Sequence, residues 1–319
     1  MAKGSTADLQ RRLEGGDVLI LDGAIGTELQ RRGVPMDHAA WCAIANKTHQ
    51  ETVRRLHQDY IRAGADIITT NTFSSGRHSL EGAGLGDHVR DMNARAVALA
   101  KEARDSASDD RPVYIAGSLS HFGTLGESPS VRVPPLPELK ENYIEQANLL
   151  AEAGVDFLLL EMIRDIERGP VIMEAAMATG LPVWIGFSSR VDEDGRIMVP
   201  SEYVIDRDLT FVEVFDSVMA LGGSLVAVMH SEVDETLPIL AQARERWHGP
   251  LGAYPHSGWW ARPDWRFDKV ISPEAYLVEA KKWVQAGVQV VGGCCGVGPQ
   301  HIEALRRGLP DRIPARRAQ

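Results

Sequence analysis

The sequence is poor in cysteine, in aromatic residues and in long apolar segments, and each shortage excludes a class of protein. Three cysteines in 319 residues cannot form the disulfide framework of a small secreted domain, so we expect a reducing compartment. No apolar run approaches the length of a membrane span, and the polar residues 1–13 contain no signal-peptide core. The sequence therefore predicts a cytoplasmic protein that does not interact with membranes.

Positive charge is also scarce. The 34 lysines and arginines are outnumbered by 44 acidic residues, which gives a formal net charge of −10 and argues against nucleic acid as a partner. The hydrophobic share of 44% and the charged share of 24% are typical of a globular protein. A chain of this length can bury one large core, as α/β barrels do.

Apolar, β-branched segments alternate with segments of helical periodicity along the chain. Near-continuous apolar runs of this kind are typical of strands that a parallel sheet buries on both faces. The eight predicted strands are residues 18–23, 66–73, 113–120, 156–162, 183–189, 225–231, 251–254 and 288–292. Predicted helices between them include residues 48–63, 139–153, 166–179, 234–247 and 273–286.

Eight strand–helix units predict a fold of the α/β class, a single (β/α)8 TIM barrel. Gly64, Gly154 and Gly287 each follow a predicted helix directly, as left-handed C-caps do. An open doubly wound sheet would carry a glycine-rich phosphate loop after an early strand. The only such segment, residues 82–86, lies in a predicted loop before a helix. Three long loops, residues 33–47, 120–137 and 254–272, are expected at the strands' carboxyl ends, where barrel enzymes hold their sites.

The most informative motif runs from Gly292 through Cys294 and Cys295 to Gly296. Neighbouring residues of a strand point to opposite faces, so both sulfurs reach one centre only where the backbone leaves strand geometry, which glycine permits. Two thiolates directed at one point suit zinc. The spacing alone also permits a buried pair of small apolar side chains or a strained disulfide between neighbours.

Polar residues stand at the carboxyl ends of most predicted strands. In a barrel these ends meet at one rim, so the sequence predicts a single active site there. Each residue alone also has an ordinary explanation, such as a turn at Asp22 or a core histidine. The set comprises Asp22, Gly23, Asn71, Glu161, Ser188, His230, His256, Cys294 and Cys295.

These motifs resemble the homocysteine S-methyltransferase family. The matching stretches occur in the family's order at residues 21–24, 63–66, 70–73, 156–161, 254–255 and 292–296, followed by Pro299 and His301. The resemblance spans roughly residues 17–308. It implies one barrel domain, residues 1–319, with its core at about 17–308 and with zinc at the carboxyl rim.

The resemblance implies a zinc-dependent S-methyltransferase. Zinc would hold the homocysteine sulfur as a thiolate near neutral pH, and this thiolate would attack the methyl group of a sulfonium or quaternary ammonium donor, which gives methionine. Cys294 and Cys295 match two zinc ligands, and Glu161 matches the carboxylate that binds the amino group of homocysteine. The implied substrate-binding residues are Asp22, Gly23, Asn71, Glu161 and Trp41.

The sequence departs from the family at the third zinc ligand. The family has a cysteine after the sixth strand, where this chain has His230. A site with two cysteines and one histidine is ordinary zinc chemistry, and it carries one negative charge less than a site with three thiolates. We therefore expect His230 to be the third ligand. The alternatives are that His256 takes this role or that zinc is lost.

The methyl donor is not identified by the sequence. Trp41 with Trp259, Trp260 and Trp265 is consistent with an aromatic box around a methylated cation, and equally with a cover over the barrel mouth or an interface between copies. The tyrosines of the betaine-dependent branch are absent, since Ser74 and Met162 stand at those places, which disfavours glycine betaine.

Other functions stay open on the sequence alone. They are a related methyltransferase or demethylase with another donor or acceptor, and a non-catalytic metal-binding barrel. The expected partners are small molecules, and assembly into a homo-oligomer is compatible with the sequence.

Overall fold

The computed structural model describes residues 4–107, 111–124, 131–200, 208–261 and 264–314. Eight parallel strands form its central sheet. They are β1 (Leu19–Ile20), β2 (Ile67–Thr69), β3 (Tyr114–Ser120), β4 (Phe157–Ile163), β5 (Val183–Phe187), β6 (Leu225–Met229), β7 (Leu251–Tyr254) and β8 (Val288–Val291).

The sheet closes into a barrel. Each strand pairs with the next along the chain, and β8 pairs with β1, where Leu19 faces Val290. The contact between β1 and β2 is a parallel bridge from Leu21 to Ile67, supported by a backbone hydrogen bond of 2.9 Å from Asp22 to Ile67. The predicted (β/α)8 barrel is confirmed, and with it the rejection of an open sheet.

Twelve α-helices are described. They are α1 (Thr6–Glu14), α2 (Gly26–Arg31), α3 (Ala45–Thr48), α4 (Gln50–Ala63), α5 (Arg77–Gly82), α6 (Val89–Ala107), α7 (Leu136–Ala153), α8 (Arg168–Met177), α9 (Phe211–Met219), α10 (Thr236–Arg246), α11 (Pro273–Gln285) and α12 (Pro299–Gly308). Short 3-10 helices cover Cys42–Ile44 and Gly86–His88, and two-stranded hairpins pair Arg190–Val191 with Ile197–Met198 and Trp259–Ala261 with Asp264–Arg266. In the described part of the chain no helix is long and apolar enough to cross a membrane.

Two apolar layers hold the barrel together. The larger packs the outer faces of the strands against the helices, and the smaller fills the barrel interior with side chains such as Phe157 and Trp184. Helix α1 contributes Leu9 and Leu13 to this interior layer. The predicted helix ends at Gly64 and Gly154 are confirmed, because both glycines are left-handed C-caps with φ of 109° and 79°.

Most predicted strands extend beyond the observed ones at their carboxyl ends. The segment predicted as residues 66–73 stops at Thr69, because Thr70 to Ser75 form a turn with hydrogen bonds such as Ser75 N to Thr72 O, 3.0 Å. The helix predicted as residues 48–63 begins at Gln50 and is preceded by the separate helix α3. Of the long loop at 120–137, residues 125–130 lie outside the described part.

Candidate active site at the carboxyl rim

The carboxyl ends of the strands surround a cavity of about 620 Å³. It is the space in which a barrel enzyme binds substrate. The residues that the sequence predicted as metal ligands and substrate contacts line this cavity: Asp22, Gly23, Trp41, Asn71, Glu161, His230, Cys294 and Cys295. The alternative ligand His256 is not among the lining residues.

Three potential metal ligands meet at one side of the cavity. The ligand atoms of His230, Cys294 and Cys295 all lie within 4.8 Å of one another. The Cys294 sulfur is 3.5 Å from Nδ1 of His230 and 3.9 Å from the Cys295 sulfur. A tetrahedral zinc with ordinary bond lengths separates nitrogen from sulfur by about 3.6 Å and sulfur from sulfur by about 3.8 Å. The donor set and its spacing therefore fit zinc.

Glycine at position 296 allows the turn that brings the sulfurs of Cys294 and Cys295 to the same side of the cavity. The backbone after β8 turns back, with hydrogen bonds from Cys294 N to Pro255 O, 2.9 Å, and from Val297 N to Cys294 O, 3.1 Å. Gly296 has a φ of 78°, and a Cβ there would lie 1.9 Å from the Ser257 carbonyl oxygen. Only glycine fits this close approach, so the turn depends on it.

Strained backbone is concentrated at this cavity. Three of the described residues other than glycine have a positive φ. They are Trp41, Met162 and His230, with φ of 40°, 55° and 43°. All three line the cavity. Such conformations persist only where the surroundings impose them, and they gather at functional sites.

The protein environment favours the uncharged forms of two of the potential ligands, His230 and Cys294. Burial, with the nearby His256 as a second cause, holds the pKa of His230 well below its ordinary value, so the imidazole is neutral and can donate its lone pair. The hydrogen bond with Cys295, followed by burial, raises the pKa of Cys294 well above its ordinary value. A thiolate at Cys294 therefore needs a cation to stabilise it.

His256 lies next to His230 but does not line the cavity. Its Nε2 is 3.0 Å from a carboxylate oxygen of Glu232, and its ring centroid is 4.6 Å from that of His230. In the part of the chain that the structure describes, the group of converging ligand atoms includes His230 and not His256. The geometry thus favours the first of the two histidines considered from the sequence.

Two buried carboxyl groups form the acidic part of the cavity. Glu161 accepts a short hydrogen bond from the Ser118 hydroxyl, and burial raises its pKa to about 7. Asp22 accepts hydrogen bonds from Thr69 N, 2.7 Å, and Thr69 Oγ1, 2.9 Å, yet burial still raises its pKa well above the ordinary value. Both carboxyl groups are suited to a cationic ligand, which would favour their ionised forms.

Asn71 presents an oxygen to the same space. Its Nδ2 donates to the Cys42 carbonyl, 2.9 Å, and to Oδ1 of Asn46, 3.0 Å, which orients the amide. Its own Oδ1 is buried and has no hydrogen-bond partner among the described residues. A buried acceptor of this kind is costly unless a ligand or water donates to it.

Aromatic rings line another part of the cavity. Trp41 stacks on Phe122 with centroids 6.0 Å apart and meets the edge of Phe73 at 5.9 Å. Trp260 and Trp265 also line the cavity, and Trp265 packs against His256 with ring centroids 5.3 Å apart. Trp259 is not among the lining residues, and its indole donates to Asp268 at 3.0 Å. Of the four tryptophans considered for an aromatic box, three therefore line the cavity and Trp259 does not.

The sequence analysis did not nominate two residues of the lining, Phe122 and Arg164, which follow β3 and β4. Tyr254, which lies in the matching stretch 254–255, ends β7 and also lines the cavity. Their position at strand ends was a usable signal. Arg164 is the only arginine or lysine among the described lining residues.

Comparisons with known proteins identify the family and the fold of this chain. The sequence profile of the family described as homocysteine S-methyltransferase matches residues 19–309. Selenocysteine Se-methyltransferase of Brassica oleracea var. italica is 26% identical over 94% of this chain and 91% of the plant protein. Homocysteine S-methyltransferase YbgG of Bacillus subtilis is 26% identical over 93% and 96% of the two chains. The metallated form of the homocysteine methyltransferase MmuM from Escherichia coli shares the fold, with a TM-score of 0.74, 23% identity, and coverage of 94% and 99%.

Proposed function

The chain belongs to the homocysteine S-methyltransferase family, and on that premise we propose that it moves a methyl group from an onium donor to the thiol of homocysteine. The family match extends over residues 19–309, so it covers the barrel and every residue of the site. The observation that carries the proposal is the convergence of His230, Cys294 and Cys295 beside two buried carboxyl groups.

We propose zinc as the metal, held by His230 Nδ1 and the sulfurs of Cys294 and Cys295. Three protein ligands leave one position of a tetrahedral ion for substrate, as in other catalytic zinc sites. When bound, zinc supplies a positive charge that lowers the pKa of a thiol beside it. The neutral imidazole at His230 leaves this ligand set less negative than three thiolates would, which supports that role.

The acceptor's amino group is assigned to the acidic part of the cavity. Glu161 and Asp22 offer carboxylates, and the buried Oδ1 of Asn71 offers a further acceptor for an ammonium hydrogen. Binding of an ammonium would draw the pKa of Glu161 down from about 7, so the carboxyl group is ionised in the complex. Glycine is required at position 23, because a Cβ there would lie 2.2 Å from the Val297 carbonyl oxygen.

The donor is assigned to the aromatic part of the cavity. The faces of Trp41, Phe73 and Phe122 attract a methylated cation through their ring quadrupoles. A sulfonium or quaternary ammonium leaves as a neutral molecule once its methyl group is transferred, so no acid is needed to protonate it. These three aromatic side chains therefore bind the charged donor more tightly than the neutral product.

Metal analysis of matched variants tests the ligand set. Purified protein should carry near-stoichiometric zinc, His230→Cys should retain it, and His230→Ala should lose most of it. His256→Ala is the control, because its ring bonds to Glu232 outside the ligand group. If His230→Ala keeps its full zinc content and His256→Ala loses zinc, the third ligand is His256 instead.

Product analysis tests the reaction itself. Homocysteine should yield methionine, read by mass, with at least one donor of a panel containing S-methylmethionine, S-adenosylmethionine and betaines. Zinc-loaded protein that methylates no thiol with any of these donors would favour a non-catalytic metal-binding barrel.

A further inference from the structure

Ser188 is a polar residue of the strand ends that the proposed function leaves without a role. It directly follows β5, is fully buried and is not among the residues that line the cavity. Its backbone N–H donates to the Ile163 carbonyl at the end of β4, 3.3 Å, and its hydroxyl donates to the His230 carbonyl, 3.0 Å. Ser188 therefore connects the frame of the barrel with the residue proposed as the third metal ligand.

The backbone of His230 is strained and depends on contacts with its surroundings. Its φ of 43° lies in the left-handed region, which a Cβ makes unfavourable. The parallel pairing of β5 with β6 ends at Phe187 and Val228, so this ladder stops short of residue 230. The conformation of His230 must therefore be imposed by other hydrogen bonds.

Serine hydroxyls hold the two peptide groups that flank the Cα of His230. The peptide group before it contains the Met229 carbonyl, which accepts from the Ser231 hydroxyl, 3.1 Å. The peptide group after it contains the His230 carbonyl, which accepts from Ser188. Because peptide groups are planar, the orientations of these two define φ and ψ of His230. Ser188 is the hydroxyl that reaches this turn from the neighbouring strand.

The backbone conformation of His230 determines where its ring nitrogen lies. Nδ1 of His230 is 3.5 Å from the Cys294 sulfur. Only two side-chain torsions separate Nδ1 from the Cα, and each has few favourable values. A ligand atom so close to the main chain moves with any change in the φ or ψ of its own residue.

We propose that Ser188 is a positioning residue for the metal site. Its hydrogen bond to the His230 carbonyl fixes the strained backbone, and the backbone in turn holds Nδ1 beside the sulfurs of Cys294 and Cys295. This inference rests on the proposed function, which makes His230 a zinc ligand. Groups that orient a metal ligand usually contribute to metal affinity without touching the metal.

The test measures the zinc affinity of the reduced protein by competition with a chromophoric chelator. Ser188→Ala removes the hydroxyl and should bind zinc about tenfold more weakly than the wild type, as loss of a group that orients a ligand predicts. Cobalt(II) in place of zinc gives a second readout, because its visible absorption bands depend on the coordination geometry. These bands should differ between Ser188→Ala and the wild type.

Ser120→Ala is the matched control. Ser120 ends β3 and is 3% exposed, and its hydroxyl donates to the Phe73 carbonyl, 2.6 Å. The variant thus loses a buried hydrogen bond of the same kind at another strand end, and Phe73 is not a metal ligand. It should keep the zinc affinity and the cobalt spectrum of the wild type.

A double-mutant cycle shows whether Ser188 acts through His230. In the His230→Ala background the ring is absent, so adding Ser188→Ala should weaken zinc binding by less than about twofold. A further tenfold loss in that background would overturn the inference, because Ser188 would then serve the metal by another route.

The remaining outcomes separate this inference from the proposed function. Unchanged zinc affinity and an unchanged cobalt spectrum in Ser188→Ala would overturn the positioning role and leave the ligand set intact. Equal losses in Ser188→Ala and Ser120→Ala, or a Ser188→Ala protein that does not fold, would also overturn it, since the hydroxyl would then stabilise the barrel as a whole. Wild-type protein that binds no zinc would refute the proposed metal site itself.

Discussion

Glu161→Gln should weaken acceptor binding and at the same time stabilise the metal-free protein at alkaline pH. The wild-type carboxyl group is buried, and its pKa is raised from 4.5 to about 7. Glutamine keeps the shape of the side chain and an oxygen that can accept from Ser118, but it cannot ionise. The substitution therefore removes the charge while it disturbs the packing little.

The expected change in unfolding free energy follows from the raised pKa of Glu161. Because the folded-state pKa lies above the unfolded one, the folded protein binds more protons between pH 4.5 and about 7, and its stability falls as pH rises through that window. Ionising this carboxyl group in the folded state costs about 3 kcal/mol. From pH 5 to pH 8 the glutamine variant should gain about 2–3 kcal/mol of unfolding free energy relative to the wild type.

Urea unfolding of both metal-free proteins at several pH values measures this difference. Glu174→Gln is the control, because Glu174 is an exposed carboxylate, 48% accessible, in an ion pair with Lys140 on the outside of the barrel. Its effect on stability should change little with pH. If the stability of Glu161→Gln runs parallel to that of the wild type from pH 5 to pH 8, the burial argument is refuted.

The binding arm of the experiment uses the zinc-loaded protein. Glu161→Gln should retain its zinc and bind homocysteine at least about tenfold more weakly, a loss of about 1.4 kcal/mol. Wild-type affinity should rise more steeply with pH than that of the variant up to about pH 7, because in the wild type the Glu161 carboxyl group ionises as well as the substrate thiol. Loss of zinc with unchanged acceptor affinity would show that Glu161 serves the metal.

Further substitutions test the other parts of the site. Gly296→Ala should cost several kcal/mol or abolish folding, because its Cβ would lie 1.9 Å from the Ser257 carbonyl oxygen; wild-type unfolding and zinc content would contradict the account of this turn. Trp41→Leu should raise the KM for the methyl donor about tenfold while the KM for the thiol stays within about twofold, as loss of a cation–π face predicts; the reverse pattern would move the donor elsewhere. Gly26→Ala should resemble Trp41→Leu, since a Cβ at 26 would lie 2.4 Å from the Trp41 ring.

The barrel could be predicted from the sequence, and the metal ligands could be proposed from it, because both leave local signals. Buried strands are recognisable in the sequence as apolar runs. Gly64 and Gly154 indicate helix ends because they adopt a left-handed conformation that other residues avoid. His230 was found by its position after the sixth strand, where the family has a cysteine. These assignments of site residues stay predictions until the variants are made.

Other parts of the site could not be derived in this way, because they depend on contacts between distant segments. The Tyr254 hydroxyl has room only because Gly186, two strands away, has no side chain, since a Cβ there would lie 2.2 Å from the hydroxyl oxygen. The hydrogen bond from Ser118 to Glu161 likewise depends on the pairing of β3 with β4. The periodicity of a sequence carries no information about contacts between segments that are distant along the chain.

The three left-handed residues at the cavity set a limit on how this protein can evolve. Trp41, Met162 and His230 each hold a backbone conformation that costs about 1–3 kcal/mol. Domains of this kind have only about 5–15 kcal/mol of stability in total, so these positions consume a sizeable part of it. Glycine at any of them would relieve the strain and remove a side chain that lines the cavity, including the proposed zinc ligand at His230. Selection for heat resistance alone would therefore act against the side chains that shape this cavity.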